Sequence, residues 1–259
     1  MSHKGLINIE IRDIDTSFPP TRSRGNQAKP LVGISIGGPE MIRGRVWSQP
    51  VFGTKMIQKY NLISPIYDIF GIVMEAKARA RALELSGIKN GESVLEVAVG
   101  TGLNFREILR RNPNGWNEGI DISHKMLKRA QKRAIRTGIL NYNLQLGDSR
   151  ALPFADSTFD LLINQYMFDI LPVTEYDRIV SEFRRVLKPD GRLILVNTTL
   201  PEKIRDRTLQ WIFSVYPEAF SKCRGVLAEP YLEKFNFRDI QREYVVNLSF
   251  PSEVVLSHK

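Results

Sequence analysis

The chain has 259 residues, of which 42% are hydrophobic and 25% charged, the make-up of one sizeable globular domain or of one domain with an appendage. Its single cysteine, Cys223, can close no disulfide within the chain and belongs to no Cys/His cluster, which argues against a disulfide scaffold, a zinc module and an iron–sulfur protein. Lysine and arginine total 37 against 28 acidic residues, a formal charge of +9 that draws a protein toward nucleic acid or an acidic lipid surface without choosing between them, or against plain solubility.

Residues 1–54 carry Pro19-Pro20, Pro30, Gly37-Gly38-Pro39 and Pro50 among scattered basic side chains, with no apolar period sustained over a helix. They read as an irregular basic arm, a functional lid or an inert tail. From residue 55 to 86 apolar side chains recur at helical spacing, which predicts two entry helices, the second stopped at Gly87. Beyond them strands alternate with helices. Strands are expected at 94–97, 116–120, 144–146, 159–164 and 192–196, and helices at 104–111, 123–137 and 175–187. Such alternation with short connections means right-handed crossovers and a mostly parallel sheet with helices on both faces. Two further strands, 240–250 and 254–256, separated by Pro251-Ser252-Glu253, predict an antiparallel hairpin at one edge of the sheet. No run of about 18 apolar residues occurs and the first residues lack the apolar stretch of a signal peptide, so the expectation is a soluble, cytoplasmic protein.

The most informative stretch is Val94-Leu95-Glu96-Val97-Ala98-Val99-Gly100-Thr101-Gly102-Leu103-Asn104-Phe105. An apolar strand containing a carboxylate runs into a turn with two glycines that opens a helix, at the sheet edge where open α/β folds bind ligands. The dinucleotide fingerprint wants a third glycine where Phe105 stands, so a pyrophosphate cradle and a nicotinamide cofactor are disfavoured. The second strand ends in Gly119-Ile120-Asp121, a carboxylate 19 residues after Gly102, the spacing at which such folds hold ribose hydroxyls. Gly147-Asp148-Ser149 adds an acceptor and a small donor suited to an adenine edge, and Leu152-Pro153-Phe154 an apolar wall.

These segments, with Arg185-Val186-Leu187-Lys188-Pro189-Asp190-Gly191-Arg192-Leu193, resemble in order and spacing the class I S-adenosylmethionine-dependent methyltransferases. The resemblance implies a Rossmann-like fold with a seven-stranded, mostly parallel sheet. It also implies S-adenosylmethionine as cofactor, with S-adenosylhomocysteine as product. One departure is Ala98, where many members have the first glycine of the turn; the quinone-biosynthesis branch shares it. By the same carry-over Glu96 sits near the methionine end and Gly100 and Gly102 let the cofactor lie against the turn. Asp121, followed by Ile122, holds the ribose diol, Asp148 and Ser149 meet the adenine, and Asn164 and Gln165 lie near the sulfonium.

No metal is required for the in-line displacement, in which the acceptor is aligned against the methyl group and water excluded. Tyr166 and Asp169, with Tyr60 and Tyr67 from the entry helices, are the candidates for proton handling, although a packed aromatic and a helix cap account for Tyr166 and Asp169 equally well. Asn164-Gln165-Tyr166-Met167 lacks the Pro-Pro of the motif by which amino methyltransferases clamp a nucleobase, so nucleic acid is disfavoured as acceptor. The pattern resembles both the quinone C-methyltransferases and the bacterial phosphatidylethanolamine N-methyltransferases, implying a small lipophilic acceptor and peripheral contact with an anionic membrane. The alternative is an RNA or protein methyltransferase anchored by the basic arm. Residues 198–235, aromatic and basic, read as an acceptor-side cap, with Lys222 and Arg224 placed to meet a phosphate or carboxylate.

Overall fold

In the computed structural model residues 73–202, 225–248 and 250–259 are described. The expected arm, the entry-helix residues up to 72 with Tyr60 and Tyr67, and residues 203–224 of the expected cap, with Lys222 and Arg224, lie outside them.

The second entry helix is α1, Ala76–Leu85, a run of alanine, leucine, lysine and arginine, all strong helix formers. It ends where Ser86 N–H donates to the Ala82 carbonyl and Gly87 takes φ +53°, a backbone state that costs glycine nothing. Strands and helices then alternate as β1 (Ser93–Val97), α2 (Leu103–Arg111), β2 (Trp116–Asp121), α3 (His124–Ile135), β3 (Tyr142–Leu146), β4 (Phe159–Gln165), α4 (Tyr176–Val186) and β5 (Leu187–Thr198). A short helix α5 (Glu229–Lys234) follows within the expected cap, and β6 (Arg238–Asn247) and β7 (Phe250–His258) close the chain. One seven-stranded sheet results, in the order β3-β2-β1-β4-β5-β7-β6, with β1 to β5 parallel and β7 antiparallel to both of its neighbours. The hairpin does occupy the edge, but its reversed strand β7 is inside and β6 is outermost.

The central strands are apolar on both faces because helices cover both. Leu95, Val97, Leu162, Leu193 and Leu195 face a core shared with α4 and α5. Their neighbours Val94, Leu161, Ile163, Ile194 and Val196 face a second core shared with α1, α2 and α3. This is the signature of a doubly covered parallel sheet, and each wholly buried Leu or Ile contributes about 1.5–3 kcal/mol.

Two expected connections fall inside strands. Lys188-Pro189-Asp190-Gly191, between the expected helix 175–187 and strand 192–196, is an irregular stretch inside β5: between the Phe159–Leu187 and Leu161–Arg192 pairs β4 advances two residues while β5 advances five. Pro251-Ser252-Glu253, expected as the hairpin turn, is in β7, paired with Val246, Val245 and Tyr244. The Pro251 carbonyl accepts from Thr199 N–H, so the missing N–H on the same side faces the chain just past the end of β5, where no ladder donor is needed. Glu253 is wholly buried because Arg242, Asn197 and the Ala228 N–H all donate to it.

Candidate cofactor and methyl-transfer site

In this strand order the chain reverses direction across the sheet between β1 and β4, and the site forms at the carboxyl ends of those strands, where loops diverge and leave a crevice. After Val97 the backbone passes through left-handed conformations at Ala98 (φ +60°), Gly100 (φ +54°) and Gly102 (φ +80°). Gly102 has no substitute: a Cβ there would stand 2.6 Å from the Ala130 Cα of α3. At Ala98 the left-handed state costs about 1 kcal/mol that a glycine would not incur. Asp121, at the end of β2, locks the turn. Its Oδ2 accepts from Gly100 N–H and its Oδ1 from Ser123 N–H, both at 2.8 Å. Burial pushes this carboxyl up to about 6, against the pull of the Ser123, Gly100 and Ile122 N–H groups. Phe105 is wholly buried and fills the space beside Gly119.

The turn borders a cavity of about 230 Å³. Of the residues the resemblance assigns to the cofactor, Glu96, Gly100, Asp121, Ile122, Asp148, Ser149 and Gln165 line it. Gly102, one residue beyond Thr101 of the wall, acts through helix packing. Asn164 does not line the cavity: wholly buried within the sheet, its Nδ2 donates to the Val97 carbonyl at 2.9 Å and ties β4 to β1. Asp148 reaches the wall already clasped by Arg150, whose Nη2 stands 2.6 Å from Oδ2; burial opposes its charge, but the Arg150 hydrogen bonds prevail and hold the carboxyl below its usual range. An adenine edge would therefore meet an Asp148–Arg150 pair rather than a bare carboxylate.

Tyr166 also lines the cavity, in a left-handed conformation (φ +51°), with its hydroxyl 2.9 Å from Ser252 Oγ of β7. Burial, then the nearby Glu75, raises this phenol well above its ordinary value, so it stays protonated and acts as a fixed dipole rather than a base. Asp169 stands behind the wall and accepts from Thr198 Oγ1 at 2.8 Å. It is no helix cap facing solvent, because it is 3% exposed. Four charged lining residues escaped the sequence reading: Glu75 just before α1, Arg79 on its first turn, Arg150 just past Asp148, and Glu175 before α4. Glu75 and Arg79 form an i,i+4 ion pair of 3.8 Å. The available signal was an acid and a base spaced by four residues, in a helix that also carries Lys77, Arg81 and Glu84.

Glu96 is 3% exposed, and Asn104 Nδ2 donates to its Oε1 at 3.0 Å. Burial pushes its carboxyl up to about 8, against the hydrogen bond from Asn104 and the charge of Arg79 and with the help of Asp121. Glu96 Oε2 and Asn104 Oδ1 are both buried without a hydrogen-bond partner among the described residues. Such orphaned acceptors are costly, and two on adjacent side chains lining a cavity fit an ammonium group. S-adenosylmethionine carries one on its methionine end, so the residues present fit the cofactor that the resemblance implies. When bound, that cofactor supplies a methyl group on a positively charged sulfur.

Residues 94–191 match the family described as a methyltransferase domain. Over 201 residues, 78% of this chain and 81% of the relative, the sequence is 36% identical to a demethylmenaquinone methyltransferase of Thermotoga maritima. The chain belongs to the class I S-adenosylmethionine-dependent methyltransferases. This methyltransferase is also 37% identical over 134 residues, 51% of its length and 63% of the relative, to a phosphatidylethanolamine N-methyltransferase of Cereibacter sphaeroides. Its fold is that of an S-adenosylmethionine-dependent methyltransferase from Aquifex aeolicus, with TM-score 0.56 at 19% identity over 76% of this chain and 97% of that one.

Proposed function

We propose that this methyltransferase acts on a small lipophilic acceptor, a quinone precursor or a phospholipid amine. The observation that carries the reading is the contrast between the two ends of the cavity. Around Asp121, Asp148 and Arg150 the wall is polar and meets the nucleoside. From Gln165 onward the lining runs through Tyr166, Met167, Ile170 and Leu171, largely apolar side chains, joined by the Glu75–Arg79 pair. Such a wall suits an apolar molecule with one ionisable nucleophile and offers little to a phosphate backbone. The names of the Thermotoga and Cereibacter relatives, one acting on a quinone and one on a phospholipid, support both branches of the reading.

In this reading Glu96 and Asn104 bind the methionine end, and Asp121 and Ile122 the ribose. Asp148 and Ser149 take the adenine edge, while Gln165 lies near the sulfonium. Gly100 lets the ligand approach the backbone closely. Sealing this end dry and rigid is what aligns the methyl group with the acceptor. Delivery from an anionic bilayer is supported by the exposed side chains of Lys125, Lys128 and Lys132 on α3, each such charge being worth roughly 1 kcal/mol near an acidic leaflet. No helix among the described residues is long and apolar enough to cross a membrane.

The test is to incubate the protein with methyl-tritiated S-adenosylmethionine and a cell extract holding lipids, small molecules, RNA and protein, then to separate the fractions. Label in the organic phase is the expected result. Label confined to RNA or protein would overturn the acceptor reading and favour an enzyme anchored by its basic arm.

A further inference from the structure

Five carboxyl groups line the cavity on the described residues; Asp121, Glu96 and Asp148 accept hydrogen bonds, whereas Glu175 and Glu75 each face an arginine, at 3.9 and 3.8 Å. Asp121 is bound by two backbone N–H groups of the cofactor turn. Glu96 is held by Asn104 at the methionine end. Asp148 is clasped by Arg150, which also stands 3.9 Å from Glu175. The fifth, Glu75, stands just before α1 and lines the same cavity as Gln165, Tyr166, Met167 and Ile170, with Tyr166 and Asp169 close enough to feel its charge. Its residue is 8% exposed, and the charge beside it is Arg79, 3.8 Å away.

The acceptor's chemistry requires something of that wall. An ammonium has no lone pair with which to attack a methyl group, and a hydroquinone ring carbon gains its nucleophilicity when the neighbouring hydroxyl loses its proton. In either case one proton must leave into a water-poor space. On the proposed reading of the acceptor, we infer that Glu75 is the group that receives this proton. The acceptor's electron pair forms the bond to the methyl carbon, the carbon–sulfur bond breaks with its pair remaining on the now neutral sulfur, and the proton passes to the Glu75 carboxylate. Charge is conserved, and no further reactant is needed.

The groups facing Glu75 set when it can serve. Burial pushes its carboxyl up to about 7, Arg79 on α1 pulls it down and Asp169 after β4 pushes it up further. Tyr166, also close enough to feel its charge, remains a neutral phenol, and the charge of Arg79 acts on Glu96 as well. Glu75 is thus poised near neutrality, where a base both exists in its ionised form and holds a proton well enough to accept one.

The test compares wild type with Glu75→Gln and Glu75→Asp, following label in whichever fraction of the extract the wild type methylates. A failure of the lipophilic reading would appear as label outside the organic phase and leave the Glu75 comparison intact. Wild-type turnover at saturating cofactor is expected to rise with pH through about 7. E75Q is expected to lose about 100-fold or more in turnover, and the acid limb with it, while E75D recovers part of both. Calorimetric affinity for S-adenosylmethionine is expected to stay within about 3-fold, since no cofactor contact is removed. A readout independent of turnover is the thermal stability of the cofactor-free protein: raising the pH through 7 should destabilise the wild type more than E75Q. E75Q with near wild-type turnover and an unchanged acid limb would overturn the assignment, as would a loss of activity explained entirely by weaker cofactor binding.

Discussion

The cofactor side and the acceptor side of the cavity are built by different means. On the cofactor side, β1, the glycine turn, β2 and the start of α3 lie within about 30 residues of one another, and the decisive contacts stay within that stretch: the Gly100 and Ser123 N–H groups donate to Asp121, and the Asn104 amide to Glu96. On the acceptor side the contacts cross the chain. Tyr166 meets Ser252, 86 residues away, Asp169 meets Thr198, and α1 is pinned to the edge strand β6 by the bidentate pair of Arg81 and Glu243, 162 residues apart. On the proposed reading, the cofactor is held by a local device, whereas the wall for the acceptor is assembled from elements distant in the chain.

The sharpest way to break the local device is Gly102→Val. A side chain at φ +80° only 2.6 Å from α3 must push that helix away, so we expect a loss of about 2–4 kcal/mol in unfolding free energy and no measurable cofactor binding in calorimetry. Asp121→Ala removes both turn hydrogen bonds and the carboxylate assigned to the ribose. It should weaken S-adenosylmethionine by about 100-fold in the same titration, with the far-ultraviolet circular dichroism unchanged.

A third prediction concerns protons. Glu96, Glu75 and Asp121 have folded-state values raised to about 8, 7 and 6, so each holds its proton in the folded chain over a range where the unfolded chain has released it. The stability this contributes is complete below about pH 4 and is lost as pH rises through the folded values. The cofactor-free protein should therefore weaken by on the order of 2–5 kcal/mol between about pH 5 and 8 in denaturant titrations. Glu96→Gln should flatten that slope and, by taking the counter-charge from the methionine ammonium, weaken cofactor binding about 10- to 100-fold. The smallest effect is Ala98→Gly. Relieving a left-handed alanine should leave stability unchanged or raise it by up to about 1 kcal/mol, offset by the greater freedom of the unfolded chain.

The same division explains what could be read from the sequence. The central strands and helices follow from apolar spacing, and the cofactor residues from a turn whose glycines, Asp121 and Glu96 lie close together in the chain. What escaped reading depends on partners elsewhere. Pro251-Ser252-Glu253 has the composition of a turn, yet Ser252 is buried against Tyr166, and Glu253 against Arg242 and Asn197. Asn164 stands at the right strand end for the sulfonium but turns its amide onto Val97, because a buried amide takes the nearest open carbonyl. Glu75 and Arg79 read as ordinary helix-surface charges, and only the packing of α1 across the sheet carries them to the cavity.

The most direct test of the two-sided account is to measure, on the same preparations, cofactor affinity by calorimetry and methyl transfer at saturating cofactor for Asp121→Ala and Ser252→Ala. Asp121→Ala should raise the dissociation constant about 100-fold while excess cofactor restores much of the turnover. Ser252→Ala, which frees the Tyr166 hydroxyl, should lower turnover about 3- to 10-fold with the dissociation constant unchanged. If both variants instead shifted cofactor affinity alike and left saturated turnover equal, the cavity would be one undivided site and the account would be contradicted.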